Sequence, residues 1–180
     1  GQLPELPPNH TARPKAPQRL DSLAYEGFDD EQWRFYLYTY YRQCEMADAD
    51  IGRMLRAVEE AGETDNTVVV FTADHGDGRG RHMHVQKWYP YEESVKVPLV
   101  FSCPGRIEQG LRDATHLVSG LDPMVTMCDY AGIDRPPDSL GMSLRPLLEG
   151  RDAAWRDYVV VENHIVGRTV RTDRWKYVKY

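Results

Sequence analysis

Apolar positions fall into two rhythms along this chain, and the switch between them outlines a fold. From Trp33 through Leu37, Tyr40, Cys44, Ala47, Ile51, Leu55 and Val58 they recur every three or four residues, which lines one face of a helix. Asp29 stands where an N-cap belongs, Gln32 follows in capping-box position, and Gly62 supplies a stop, so the pattern predicts one long helix over 29–62. Asp48 falls on the apolar stripe, where a carboxylate has to find hydrogen-bond partners; a structural role suits it better than a catalytic one. After Thr64-Asp65-Asn66 the rhythm shortens. Residues 67–72 (Thr-Val-Val-Val-Phe-Thr) form the β-branched run expected of a buried strand.

Residues 97–101 read as a second buried strand, stopped by Pro104-Gly105, and 115–119 as a short third one. A helix is expected over 122–130, ending near Gly132. Residues 158–162, 169–171 and 175–180 have the alternation of antiparallel strands. A helix feeding a buried β-branched strand is the repeating unit of an α/β sheet, so the expected class is α/β with a small antiparallel sheet at the end. The first 28 residues carry five prolines, at 4, 7, 8, 14 and 17, and are expected to run as an extended lead-in. No internal repeat is visible.

Composition narrows the partners more than the fold. The 180 residues suit one domain, 41% are hydrophobic and 28% charged, and no apolar run is long enough to cross a membrane. Net charge is -6 with both signs interspersed, which argues against nucleic acid or an anionic membrane as the main partner. Any bound anion must be held by a local site. Cys44, Cys103 and Cys128 are far apart and form no CxxC pair, so neither a disulfide framework nor a structural zinc site is expected; small buried hydrophobes are. Asn9-His10-Thr11 is a formal glycosylation sequon, too short a pattern to decide anything alone.

The chemistry gathers after the first strand. Asp74-His75 stands at its carboxyl end, where open α/β sheets place ligand sites, and Gly76 permits the turn that lets adjacent side chains meet one ion. A carboxylate beside an imidazole suits a hard or borderline divalent cation; alternatively Asp74 caps the loop and His75 packs against it. His82 and His84 could be surface residues or a metal arm. Lys87 precedes Trp88, Tyr89 and Tyr91, which could desolvate its ammonium and direct it inward, or simply let it snorkel. Glu92 and Glu93 could be solvated or could pair with Lys87 or Lys96. Ser102-Cys103-Pro104-Gly105-Arg106 offers a superficial nucleophile, but Pro-Gly after a strand is ordinary turn chemistry.

Together these pieces resemble the sulfatase family of the alkaline-phosphatase-like superfamily, over nearly the whole chain and in order. Asp48-Ala49-Asp50-Ile51-Gly52 is similar to its D-x-x-(I/V)-G helix pattern. Residues 65–76 match DNTxVxFTSDHG, with Ala73 where serine is usual. His82 and Lys87 match its H-(x4)-K loop, and 91–99 matches YEESxRVPL. Residues 118–132 follow VSxxDxxPTxxxxAGI loosely, departing at Met124-Val125-Thr126. Residues 141–144 match GxSL and 174–177 match RxKY. Seven such segments in sequence argue strongly against chance.

The resemblance implies a partial alkaline-phosphatase-like α/β/α sandwich over 1–150, the C-terminal part of a catalytic domain, with 151–180 opening a small antiparallel subdomain. It implies that Asp74 and His75 ligate a divalent cation, usually Ca2+ with Mn2+ or Zn2+ as alternatives, and that Lys87 contacts sulfate oxygens. His82 is carried over as an active-site neighbour that binds substrate or assists the leaving group. The family's nucleophile is a formylglycine made within C/S-x-P-S-R, which this sequence does not contain, so it is expected in a missing N-terminal half, along with further metal-binding aspartates. The implied partners are that half and a sulfated small molecule or carbohydrate, with self-association of this piece also expected. Two other readings remain open at this point: a phosphonate or phosphate ester hydrolase of the same superfamily, and a non-catalytic module.

Overall fold

The computed structural model describes residues 2–11, 25, 27–163 and 167–179; most of the proline-rich lead-in expected over 1–28, and Tyr180 of the last expected strand, lie outside them. The predicted capping box is formed. Asp29 Oδ1 accepts the Gln32 N–H at 2.9 Å and Gln32 Oε1 accepts the Asp29 N–H at 2.9 Å, starting helix α1 (Asp30–Glu60). Gly62 closes it at φ 71°, with Glu63 N–H returning to the Val58 carbonyl at 3.1 Å. The apolar stripe, however, is buried only at its start. Trp33 and Leu37 are buried, whereas every residue of 41–50 is exposed, Cys44 and Asp48 included. Asp48 therefore needs no buried partner, contrary to expectation, because no described element covers that length of the helix. Among the described residues, no helix is long and apolar enough to cross a membrane.

Strand β1 (Val69–Thr72) pairs with β2 (Leu99–Ser102) antiparallel, Val70 opposite Phe101 and Phe71 opposite Val100. The pair is thus not a parallel βαβ repeat. The connection over 73–98 holds only a 3-10 turn (Arg81–Met83) and the one-turn helix α2 (Glu92–Val95), too little for a parallel crossover. Nor are the strands fully buried: Phe71 and Val100, side by side on one face, are 43% and 53% exposed. Cys103, just beyond β2, is buried as expected, and Cys103 to Arg106 form the anticipated turn, with Gly105 at φ 76°.

The strand expected over 115–119 does not form. Asp113 Oδ1 accepts the Thr115 and His116 amides at 2.9 and 3.0 Å, and Asp122 Oδ2 accepts the Ser119 amide at 2.7 Å. Backbone donors that would have built a ladder go to side chains instead. Burial alone would raise the Asp113 carboxyl, but the His116 and Thr115 donors outweigh it and hold it at about 2.

Asp122 begins helix α3 (Asp122–Ala131), which ends at Gly132 (φ 67°) as predicted. Its side chain is fully buried and gathers three segments. Oδ1 accepts the Met142 amide at 2.8 Å, and the Arg156 guanidinium grips both oxygens. One turn on, Thr126 Oγ1 donates to the Asp122 carbonyl and accepts the Leu144 amide, which docks helix α4 (Arg145–Leu148). The chain closes on an antiparallel sheet of β3 (Tyr158–Asn163), β4 (Gly167–Thr172) and β5 (Lys176–Lys179), in that order. Side chains tie this sheet to the 73–98 connection: Asn163 Nδ2 donates to the Trp88 carbonyl at 3.1 Å and Lys176 Nζ to Glu92 Oε1 at 2.8 Å.

Removing the Asp122 carboxylate strands a largely buried guanidinium and two amides. Asp122→Ala is expected to lower unfolding free energy by about 3–5 kcal/mol in denaturant titration, while Glu45→Ala, in the exposed Arg42 pair, changes it by less than about 1 kcal/mol. At Gly76 a Cβ would stand 1.9 Å from the Glu93 carbonyl oxygen. Gly76→Ala must push backbone apart, and a loss of about 1–3 kcal/mol is expected in the same titration.

Candidate active site

Where β1 ends, the chain turns at Gly76, whose amide donates to the Ser94 carbonyl at 2.8 Å. The turn brings Asp74 and His75 onto one side. His75 Nδ1 lies 2.8 Å from the Gly76 carbonyl, which can only accept, so Nδ1 carries the proton. In the neutral ring Nε2 then presents a lone pair, 3.4 Å from Asp74 Oδ2. Two electron-pair donors this close repel unless a proton or cation lies between them. A carbonyl that orients the far nitrogen of a histidine is also the usual second support of a metal ligand. A 3.4 Å separation matches two neighbouring oxygen or nitrogen donors on one divalent ion with bonds of roughly 2.3–2.5 Å. The pair is open to solvent, Asp74 being 83% exposed. Among the described residues no group of three or more His, Cys, Asp or Glu side chains could hold a metal, so these two donors alone do not make a coordination shell.

The rest of the connection is held in an unusual backbone conformation. Arg79, His82, Met83 and Gln86 all have positive φ, between 48° and 59°, which costs a residue with a side chain about 1 kcal/mol or more each. Asp77 is what holds them there. Its Oδ1 accepts the Arg79 amide at 2.8 Å and the Tyr36 hydroxyl at 3.0 Å; its Oδ2 accepts the Gln86 amide at 3.0 Å. Burial, then the Asp77 carboxylate, push the Tyr36 phenol well up, so it stays a donor. Gly78 N–H donates to the Gln86 carbonyl and Gly80 N–H to the His84 carbonyl, which zips the loop shut.

His82 stands at the tip of this loop, its ring stacked on Tyr91 with centroids 4.3 Å apart. It lines a concavity together with Arg81, His84, Trp88, Tyr89 and Glu93. Asp74, His75 and Lys87 do not line that concavity. Lys87 is exposed and makes no hydrogen bond or ion pair among the described residues, so Trp88 and the tyrosines do not desolvate it. Trp88 Nε1 donates instead to Gln86 Oε1 at 3.0 Å. His84 packs between Tyr89 and Tyr91. The acidic pair also finds other partners than expected: Glu92 takes Lys176, which lowers its carboxyl, and Glu93 faces Arg81 at 3.4 Å.

Sequence reasoning overlooked two residues here. Asp77 carries a local signal, an aspartate flanked by glycines, the composition of a side-chain-capped turn. Asn9 carries none. It reaches the loop from 72 positions away, with Oδ1 accepting from Arg81 Nη1 at 3.1 Å and Nδ2 at 3.2 Å from His82 Nε2. The sequon asparagine is therefore engaged in the fold. Beside it His10, buried, donates from Nδ1 to the Gly80 carbonyl at 2.6 Å and meets Trp33 edge-on.

Known proteins share this sequence and fold. Residues 80–180 match the family described as N-sulphoglucosamine sulphohydrolase, C-terminal. The whole chain aligns with a Delta 4,5-hexuronate-2-O-sulfatase of Bacteroides thetaiotaomicron at 34% identity, covering 42% of that protein. The structure of a 2-O GAG sulfatase superposes on 99% of the chain and 43% of its own length, with a TM-score of 0.83 and 32% identity. A phosphonate monoester hydrolase of Agrobacterium radiobacter superposes on 87% of the chain and 35% of its own length, with a TM-score of 0.76 and 26% identity. The chain thus spans about two-fifths of the length of the sulfatases it matches. With its mixed α/β build and small antiparallel sheets, it belongs to the sulfatase family of the alkaline phosphatase superfamily, of which it is a C-terminal region.

Proposed function

We propose that this chain forms part of a catalytic site that hydrolyses sulfate esters. Asp74 and His75 hold a divalent cation, Ca2+ first, with Mn2+ or Zn2+ as alternatives. The observation that carries the reading is the Asp74 Oδ2–His75 Nε2 pair at 3.4 Å, its imidazole tautomer set by the Gly76 carbonyl. Bound there, such a cation supplies Lewis-acid charge for the oxygens of an anionic ester.

A sulfate monoester is already negative, so an approaching nucleophile meets repulsion unless fixed positive charge faces it. Lys87 provides that charge from this chain. Exposed and without an ion pair among the described residues, its ammonium is available for sulfate oxygens. His82 binds the ester or gives a proton to the departing alcohol. The nucleophile is the family's formylglycine, supplied with the remaining metal ligands from outside these residues, since no C/S-x-P-S-R segment occurs here. Residues 1–150 would then complete an α/β/α sandwich, with 151–180 opening a small C-terminal subdomain. The names of the similar sulfatases favour a sulfated carbohydrate as substrate.

A second reading, phosphonate or phosphate ester hydrolysis, is favoured by the likeness to the phosphonate monoester hydrolase and by the imidazole ligand, which suits manganese or zinc. Turnover of aryl sulfate against aryl phosphonate by the full-length protein, with metal analysis, separates the two. We expect the sulfate to be preferred, Lys87→Ala to lower kcat/KM by about 10²–10³-fold, and His75→Ala to lose metal. Preference for the phosphonate with bound manganese or zinc would reverse the assignment; turnover of neither would end both. The bare second half of α1 also has a consequence for the 180-residue chain alone. With Met46 and Met54 65% and 67% exposed, it is expected to self-associate as concentration rises in sedimentation velocity. A constant monomer boundary would refute this.

A further inference from the structure

Asn9 meets the His82 region three times, and the chemistry of the contacts leaves one self-consistent arrangement of protons. The His82 amide donates to the Asn9 carbonyl at 3.0 Å. Arg81 Nη1 lies 3.1 Å from Asn9 Oδ1, and Asn9 Nδ2 lies 3.2 Å from His82 Nε2. A guanidinium has donors only, so the amide atom facing Arg81 must be the oxygen. The amide nitrogen then faces His82. Because an NH2 group only donates, Nε2 must accept, and in the neutral ring the proton sits on Nδ1.

We propose that Asn9 is a positioning residue which, oriented by Arg81, fixes His82 as its Nδ1–H tautomer. Asn9 has little freedom to escape this role. His10 anchors the same segment through its buried bond to the Gly80 carbonyl, and the stack on Tyr91 sets the plane of the His82 ring. An N–H on Nε2 would point at the N–H of the amide. Turning the amide over would relieve that clash only by aiming its NH2 at the Arg81 guanidinium. Nε2 is thereby occupied as an acceptor and cannot serve as a metal ligand or proton donor. A neutral imidazole does not give up its remaining N–H, so in this tautomer His82 meets an ester oxygen only as a hydrogen-bond donor from Nδ1. The effect on turnover rests on the sulfatase reading above; the tautomer does not.

Asn9→Asp isolates the effect. A carboxylate keeps the shape and the acceptor for Arg81 but has no N–H for Nε2, so it draws the ring proton to Nε2. In protein with 15N-labelled histidine, long-range 1H–15N spectra should show an unprotonated Nε2 and protonated Nδ1 at residue 82, and a protonated Nε2 in N9D. A neutral ring protonated at Nε2 in the unsubstituted protein overturns the assignment even if the variant fails to fold, as does an unchanged pattern in a folded N9D. In the full-length enzyme N9D should lower kcat/KM on a sulfate ester by about 10–100-fold, as expected when a hydrogen-bond donor to the ester is turned away. A switched spectrum with an unaltered kcat/KM overturns the positioning role. The spectra need no turnover, so failure of this assignment and failure of the sulfatase reading are separate results.

Discussion

The shape of the 73–98 connection rests on one carboxylate. Asp77 takes the amides of Arg79 and Gln86 and the hydroxyl of Tyr36, and between those two amides the backbone visits the left-handed region at four residues that are not glycine. Local preference opposes each of those turns. What overrides it is a set of hydrogen bonds, individually about 0.5–1.5 kcal/mol and stronger to a charged acceptor, closed at both ends of the same stretch. Tyr36 belongs to the first turns of α1, which hold its buried residues Trp33 and Leu37 among the described residues, so the packed start of the long helix also supports the loop.

The recurring segments that place the chain in its family are, in three dimensions, mostly fasteners between segments. Glu92, in the stretch after the loop, meets Lys176 of β5, near the end of the chain. Asp122 receives Met142, from the stretch that docks α4, and Arg156, which leads into β3. Their spacing looks arbitrary along the sequence because each is one half of a distant contact. Asp74, His75, His82 and Lys87, the residues proposed above for chemistry, sit on the connection that carries the positive-φ non-glycine residues found among the described residues. Strain gathered at such a place is common where side chains must be aimed rather than packed.

Local signals carried much of the fold. The Asp29–Gln32 box and Gly62 bounded α1 to within two residues, and Gly132 marked the end of α3, because caps and left-handed stops act over a few positions. Burial was less legible. The stripe from Cys44 to Leu55 and the run through Phe71 read as core, yet what covers an apolar face is a tertiary matter that periodicity does not contain. The missing strand over 115–119 failed differently: Asp113 and Asp122 captured its amides, and side-chain competition of that kind is invisible to a hydropathy pattern. At the site, the Asp74–His75 pairing was legible because Gly76 follows it. The hold of Asn9 on His82 was not, since it crosses the chain.

That hold bears on how the protein can be made. A host that attaches glycans during secretion reads Asn9-His10-Thr11 on the nascent, unfolded polypeptide. Once a sugar occupies the amide nitrogen, that atom can no longer lie against His82 as it does here, 3.2 Å away. The customary remedy, deleting the asparagine, dismantles the same contact. Altering Thr11 instead abolishes the acceptor signal and leaves the amide intact.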